Sequence, residues 1–247
     1  MVVEIEKELV AAFAAARAAG DETFVKCCLA SGVRGEVSSP AYAPDVKVDC
    51  EDDVVAELDR MVNYRDTSIE HARLIRLYLA LKGHPDSQFI EAVNFRNGRN
   101  IVQDHAIARY WMEKAAENGC IGAQNDLGVM YAGGIGGEKN DEKAVFWYMK
   151  SAEGGDVTAK ANLGRNLVQG RGVKRNYIKA ARLLKESLRV DPYDAWDHLM
   201  LARCYEHGVA GRNGRRLAVH HYQEAADFGS TEARYALRRL KVPSLRS

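Results

Sequence analysis

The 247-residue sequence lacks any apolar run close to the ~20 residues that a membrane-spanning helix needs, so we expect no membrane insertion. It also lacks an excess of one charge: 35 Lys and Arg residues stand against 34 Asp and Glu residues, for a net charge of +1. A dedicated nucleic-acid-binding protein would be strongly basic, so this balance argues against nucleic acid as a partner. The 47% of hydrophobic residues is enough for a globular core and excludes a disordered chain.

Cysteine is scarce, and its five occurrences follow neither a disulfide framework nor a C-x-x-C spacing. The odd number and the irregular spacing predict free thiols in a reducing compartment. The N-terminal stretch MVVEIEKELVAAF carries three glutamates where a signal or transit peptide would carry basic residues. We therefore expect a cytoplasmic protein.

Motifs for catalysis, cofactors and metals are also missing. The stretch GGIGGEKND lacks the G-K-[ST] that completes a phosphate-binding loop, and the sequence has no H-E-x-x-H. Adjacent helical residues point about 100° apart, so His220 and His221 are poorly placed to chelate one ion, and we interpret His221 as a partly buried packing residue. The sequence predicts no enzyme activity, no cofactor and no metal site. The remaining catalytic alternative is a hydrolase or thiol enzyme that uses a Cys or a His of the N-terminal third, where the cysteines are Cys27, Cys28 and Cys50.

The sequence does contain an internal repeat with a period of 36 to 38 residues. The segment AAENG at 115–119 returns three times at this interval, as SAEGG, SLRVD and AADFG. Such a period is typical of stacked helix–turn–helix units. One helix of each unit, helix B, carries a small residue in a fixed register, at Ala72, Ala108, Ala144, Ala180 and Ala218. The other, helix A, carries a buried stripe spaced i, i+1, i+4, as in Leu127, Gly128 and Tyr131.

Residues that end and begin helices recur in the same register. Glycines are placed to end the helices A in a left-handed conformation, at Gly98, Gly134, Gly170 and Gly208. Favoured N-cap residues precede the helices B, at Ser68, Asp104, Asn140, Asn176 and Gly214. The N-caps predicted for helices A are Asp156, Asp194 and Ser230. Because periodicity, caps and glycines agree, the sequence predicts an all-α solenoid.

The repeated pattern A-x-x-x-L-G-x-x-Y-x-x-G, an Asp or Asn cap and A-x-x-W-x-x-x-A-A-x-x-G closely resembles the Sel-one-like repeat (SLR), a relative of the tetratricopeptide repeat. The clearest copy spans 123–155. The resemblance implies a right-handed α/α superhelix of helix–turn–helix repeats that serves as a non-catalytic scaffold or adaptor for protein partners. It also leaves a more specific alternative, an immunity-type inhibitor that neutralises a cognate toxin or enzyme by direct binding.

The repeat divides the chain into parts. Residues 1–65 lack it; they are acidic and contain a long loop predicted at 31–50. Residues 66–241 hold about four repeats and a terminal cap helix, and residues 242–247 form a tail. The first full repeat departs from the pattern because Glu91 stands where other repeats have leucine. We expect a monomer or a weak homodimer, in which the N-terminal helices or a second copy cover the first end of the solenoid.

A binding groove is expected on the concave face, which helices A line in solenoids of paired helices. Two residues beyond the leucine of successive repeats, three arginines stand in register: Arg165, Arg203 and Arg239, here called the arginine ladder. Because guanidinium groups pair well with carboxylates, the ladder predicts an acidic segment of a protein partner. Neighbouring columns complete the predicted groove with Asn125, Gln169, His207, Leu199 and Tyr235. The alternative is that these arginines are solvated or pair with nearby Asp and Glu residues.

Overall fold

The computed structural model describes residues 76–99 and 101–240, together with residues 11, 12 and 18. Contacts divide the chain into two units: the first ends at Met130 and includes Gly134–Glu138, and the second comprises Tyr131–Gly133 and continues from Lys139. Every regular element in the described residues is helical, as the repeat predicts. The helices and loop predicted within residues 1–65, the cap at Ser68 and three of the five cysteines lie outside the described residues.

The first unit contains α1 (Pro85–Asn97), α2 (His105–Glu117) and α3 (Ile121–Gly133), whose last three residues are counted with the second unit. Residues 76–81, which precede α1, are also helical. The predicted stripes form the core, since Phe95, Trp111 and Leu127 are at most 2% exposed. Glu91 on α1 is fully buried as well, so its place in the leucine register is an interior one.

The second unit contains six α-helices in its described part. They are α4 (Asp141–Glu153), α5 (Val157–Gln169), α6 (Tyr177–Leu188), α7 (Ala195–Glu206), α8 (Gly214–Asp227) and α9 (Thr231–Arg239). Helices α5, α7 and α9 are of type A, and α4, α6 and α8 are of type B. Small residues let the two types pack closely: Ala144, Ala180 and Ala218 are at most 1% exposed.

Most of the predicted caps are confirmed. The side chains of Asp104, Asn140 and Asn176 accept hydrogen bonds from backbone N–H groups in the first turns of α2, α4 and α6. Asp156, Asp194 and Ser230 do the same for the helices A. The C-cap glycines of α1, α3 and α5 are left-handed, with φ between 67° and 72°, whereas Gly208 lies one residue beyond the C-cap of α7.

The predicted N-cap at Gly214 is wrong. Helix α8 begins at Gly214 itself, after a 3₁₀ turn at Gly211–Asn213, and its N-cap residue Asn213 makes no side-chain cap bond. The glycine has a steric reason instead, because a Cβ atom at this position would lie 2.8 Å from the carbonyl oxygen of Tyr205. The repeat register therefore predicted the position of Gly214 at the start of a helix B, but not the role of its missing side chain.

Candidate functional site

The arginine ladder lies in the second unit, with one arginine on each helix A. Arg165 Nε is 2.7 Å from Asp197 Oδ1, and its Nη2 is 2.7 Å from Asp194 Oδ2. Asp194 is the N-cap of α7 and Asp197 lies in its first turn. Arg165 on α5 therefore holds the beginning of the next helix A by two ion pairs.

The other two arginines of the ladder are paired in a similar way. Arg203 Nη2 is 2.6 Å from Oε1 of Glu232, in the first turn of α9. Arg239 on α9 reaches back to Glu206 at the end of α7. All three arginines thus bridge neighbouring helices A. In this structure they pair with nearby Asp and Glu residues, as the alternative interpretation of the sequence expected.

The arginines of the ladder differ in how far their side chains are exposed and in how far their partners are buried. Asp197, the partner of Arg165, is fully buried; burial raises the pKa of its carboxyl, while the Arg165 guanidinium and the Ser187 hydroxyl lower it. The side chain of Arg165 is 24% exposed, whereas that of Arg239 is 62% exposed. Arg165 is therefore committed to the packing of the repeats, and Arg239 keeps most of its surface available to a partner.

Two of the residues predicted to line the groove are buried. Leu199 is 5% exposed and Asn125 is 8% exposed, because both pack among the helices. Asn125 also belongs to the first unit, whereas the ladder belongs to the second. We leave these two residues out of the candidate site.

The remaining three predicted residues lie at or near the surface of the second unit. Gln169 on α5 donates from Nε2 to the sulfur of Met200 at 3.9 Å. The exposed ring of His207 stacks on that of Tyr177, with centroids 4.3 Å apart and planes 12° apart. Tyr235 on α9 is 69% exposed. These positions are compatible with contact to a partner, which stays a prediction.

The sequence reasoning missed Trp196, on the first turn of α7. This residue is 52% exposed, and the Arg165 guanidinium carbon lies 5.8 Å from the centroid of its ring. The register held a signal, because Trp196 stands five residues before Leu201, outside the apolar stripe, where the next repeat has Glu232. An aromatic residue outside the stripe has no packing role to explain it. We call Arg165, Trp196, Arg203, Tyr235 and Arg239 the A-helix face.

Comparison with known families identifies the repeats. The Sel1 repeat family matches four segments that together make up more than half of the chain: 86–120, 121–156, 157–189 and 198–230. The chain belongs to the Sel1 repeat family. Sel1 repeats generally act as protein–protein interaction modules, and proteins of the family are generally non-catalytic scaffolds. The predicted family and the all-α solenoid fold class are confirmed.

Solved structures of Sel1 repeat proteins share this fold. One is a protective antigen with an SLR fold from uropathogenic Escherichia coli strains, at 28% identity and a TM-score of 0.59 over 70% of this chain. This chain spans 37% of that protein's length. Another is a Sel1 repeat protein from Oxalobacter formigenes, at 28% identity and a TM-score of 0.56, with 71% of this chain and 72% of that one covered. A comparison with curated proteins finds no match.

Membrane-spanning helices, metal sites and reactive thiols are the other features to consider in the described part of this Sel1 repeat protein. Within residues 76–99 and 101–240, no helix has the length and apolarity needed to cross a membrane. The same residues hold no group of three or more His, Cys, Asp or Glu side chains that could bind a metal ion. Cys120 and Cys204 are free thiols, and burial raises the pKa of the Cys204 thiol to about 12.

Proposed function

We propose that this Sel1 repeat protein is a non-catalytic scaffold or adaptor that binds a segment of a protein partner on the A-helix face. The observation that carries the proposal is the exposure of two large aromatic side chains: Trp196, which lies beside Arg165 of the ladder, and Tyr235, which lies one helical turn before Arg239. Trp, Tyr and Arg are the residue types that most often dominate binding energy at protein interfaces. A family whose repeats generally bind proteins is consistent with this use of the surface.

The charges of the A-helix face favour a partner segment with acidic residues. Among the described residues, Arg203 and Arg239 each form an ion pair with one carboxylate, from Glu232 and Glu206, and both arginines keep exposed surface. A guanidinium group has five N–H donors, so each of these two arginines can donate to a further carboxylate without losing its present partner. Arg165 has a different task, because its guanidinium is held by two carboxylates and lies near the Trp196 ring. We propose that it fixes the indole as an anchor for an apolar side chain of the partner.

Affinity capture from extracts of the native cell tests this proposal. The wild-type protein is compared with a Trp196→Ala/Tyr235→Ala variant and with Phe146→Ala as a matched control. Phe146 is 46% exposed and lies on a helix B of the same unit, so its removal takes away similar aromatic surface from another face. We expect a partner that the wild type and the control both retain and that the double variant loses. Equal recovery with all three proteins would contradict a site on the A-helix face.

The captured species also distinguishes the two forms of the proposed function. An adaptor holds two partners at once, so a second protein is recovered together with the first. An immunity-type inhibitor binds one toxin or enzyme and blocks its activity, which an assay of the purified partner measures directly. The cytoplasmic location inferred from the sequence stays a prediction alongside these.

A further inference from the structure

A pocket of about 440 Å³ opens on the second unit between α6, α7 and α8, and it is formed by residues other than the A-helix face. Its polar lining is unusually rich in groups that carry or can gain positive charge. These groups are Lys185, Arg189, His198, His220 and His221. One acid, Glu224, also lines the pocket and lies 3.8 Å from His220.

The two permanent cations of the pocket form no ion pair with a carboxylate in the described part of the protein, although the hydrogen bond from Lys160 and, to a lesser extent, the charge of Arg189 lower the pKa of Glu186. Lys185 lies over the ring of Tyr205, 5.4 Å from its centroid. The nearby acid Glu186 pairs with Lys160, at 2.9 Å, and no described carboxylate forms an ion pair with Lys185 or Arg189. The pocket therefore presents positive charge that an anion could balance.

Two of the histidines form a hydrogen-bonded pair whose protons can be placed from chemistry. His198 Nε2 is 3.0 Å from the carbonyl oxygen of Pro192, which can only accept, so His198 Nε2 carries a hydrogen. His198 Nδ1 is 2.9 Å from His221 Nδ1. When both rings are neutral, His198 Nδ1 must accept and His221 Nδ1 must donate. His221 Nε2 then carries a lone pair and no hydrogen.

The His198–His221 pair can gain one proton and keep its hydrogen bond. A proton that binds His221 Nε2 turns this atom into a donor, while one hydrogen still lies between the two Nδ1 atoms. A second proton would place hydrogens on both Nδ1 atoms and break the contact between the rings. His221 Nε2 forms no hydrogen bond with the described residues, so the new donor is available to a ligand in the pocket.

We propose that this pocket binds a tetrahedral oxyanion of the phosphate class, held by Lys185, Arg189 and His221 Nε2, with uptake of one proton by the His198–His221 pair. The charges match a dianion: two permanent cations and the added proton give three positive charges, and Glu224 removes about one. Lys and Arg are also the side chains that proteins most use to bind phosphate groups. A monovalent carboxylate would leave part of this charge unbalanced.

The proton uptake makes binding depend on pH. The groups that face the pair are Lys185 on α6, Arg189 at the C-cap of α6, Tyr205 on α7, and His220 and Glu224 on α8. Burial, followed by repulsion from the neighbouring histidines and Lys185, opposes protonation of His221 in the empty pocket. A bound dianion offsets that repulsion. Affinity for an anion that does not itself titrate should therefore rise as the pH falls from 8 to 6, by up to ~10-fold per pH unit.

Calorimetric titration with sulfate tests the proposal, because sulfate stays a dianion across this pH range. The ionic strength is held constant with chloride, and the titration at pH 7 is repeated in two buffers of different ionisation enthalpy to count protons. We expect saturable binding with a net uptake of protons, at most one per bound anion. His221→Leu should lose this uptake; the variant should fold because Leu183 occupies the same register position. Arg189→Gln should weaken binding about tenfold, and Arg182→Gln, an exposed arginine of α6 outside the pocket, should not.

Three results would overturn the proposal: no saturable binding of sulfate, equal weakening by Arg189→Gln and Arg182→Gln, or the same proton uptake in His221→Leu as in the wild type. A parallel titration with inorganic phosphate and with O-phosphoserine separates the two sources of the same chemistry. Tighter binding of O-phosphoserine indicates a phosphorylated ligand, and tighter binding of inorganic phosphate indicates the free anion. Failure of this site would leave the A-helix face untouched, because the two sets of residues do not overlap.

Discussion

Arg165 shows how one side chain can belong both to the stability of the repeats and to the candidate site. It ties α5 to α7 through Asp194 and Asp197, and the second carboxylate is fully buried. The Oδ2 atom of Asp197 is buried and has no hydrogen-bond partner among the described residues, and Arg165 is the group that most favours the charged form of this carboxyl. Removing one member of a buried ion pair leaves an uncompensated charge, which is far more costly than losing an exposed pair.

We predict that Arg165→Leu lowers the free energy of unfolding by about 3 kcal/mol at pH 7. The control Arg203→Leu removes an ion pair in which the side chain of Glu232 is 59% exposed, and it should cost less than about 1 kcal/mol. Urea unfolding followed by circular dichroism measures both. Equal losses in the two variants would show that the burial of Asp197 does not govern the strength of its pair.

A second prediction at the residue scale concerns pH. Burial lowers the pKa of His221 to about 4, with His198, His220 and Lys185 adding to the effect. In the unfolded chain the imidazole titrates near its usual ~6.5, so the unfolded state binds the proton first as the pH falls. The contribution of His221 to stability is therefore complete above pH ~6.5 and is lost progressively as the pH falls toward 4.

Between pH 7.5 and pH 5, the wild type should lose about 2 kcal/mol more stability than His221→Leu. Urea midpoints at the two pH values, measured in buffers free of phosphate and sulfate, give the comparison. The variant acts as its own control because all other titrating groups are kept. The same pH dependence in both proteins would mean that His221 accepts its proton in the folded state without cost.

At the scale of helices and turns, most of the structure follows from local sequence. Caps such as Asp156 and Asn140 were predictable because an N-cap depends on its own side chain and on amides two or three residues away. The partners of the ladder arginines were not predictable in this way. Arg165 and Asp197 are 32 residues apart in the sequence, and their pairing depends on how their two helices pack. Trp196 was missed for the same reason: its exposure is set by packing, although its register position was a signal.

One helix A lacks the N-cap side chain that the other repeats have, and a substitution can supply it. Helix α3 begins after Cys120, which has φ −64° and ψ 109° and makes no side-chain cap bond. In the next repeat Asp156 has nearly the same backbone angles and accepts a hydrogen bond from the amide of Ala159. We predict that Cys120→Asp raises the stability by about 1 kcal/mol and that Asp156→Ala lowers it by a similar amount, measured as shifts in thermal unfolding. A destabilised Cys120→Asp would contradict the equivalence of the two caps.

The turn between α5 and α6 depends on a close approach that only glycine permits. Gly172 has φ +63°, and a Cβ atom there would lie 2.0 Å from the carbonyl oxygen of Asp141. Gly155 is a matched control, since its φ is +97° but a Cβ atom would meet nothing within 4 Å. We predict that Gly172→Ala costs about 2 kcal/mol more than Gly155→Ala in urea unfolding. Equal costs would show that backbone conformation alone, and not the contact with α4, makes glycine necessary.

At the scale of the whole molecule, the chain combines two kinds of surface in its second unit. The A-helix face exposes aromatic residues next to paired arginines, and the pocket between α6, α7 and α8 exposes cations and histidines. Fold class and family were predictable because they rest on a periodic core. The binding surfaces were predictable only in part, since periodicity marks which positions are equivalent but not which of them meet solvent.

The most direct test of the account is the affinity of the captured and purified partner for three proteins: the wild type, Trp196→Ala/Tyr235→Ala and Phe146→Ala. Fluorescence anisotropy with labelled partner gives each dissociation constant at the same ionic strength. If the A-helix face is the binding site, the double variant should bind about 100-fold more weakly than the wild type, and Phe146→Ala should bind within about twofold of it. Unchanged affinity in the double variant would contradict the central claim that this protein holds its partner on the A-helix face.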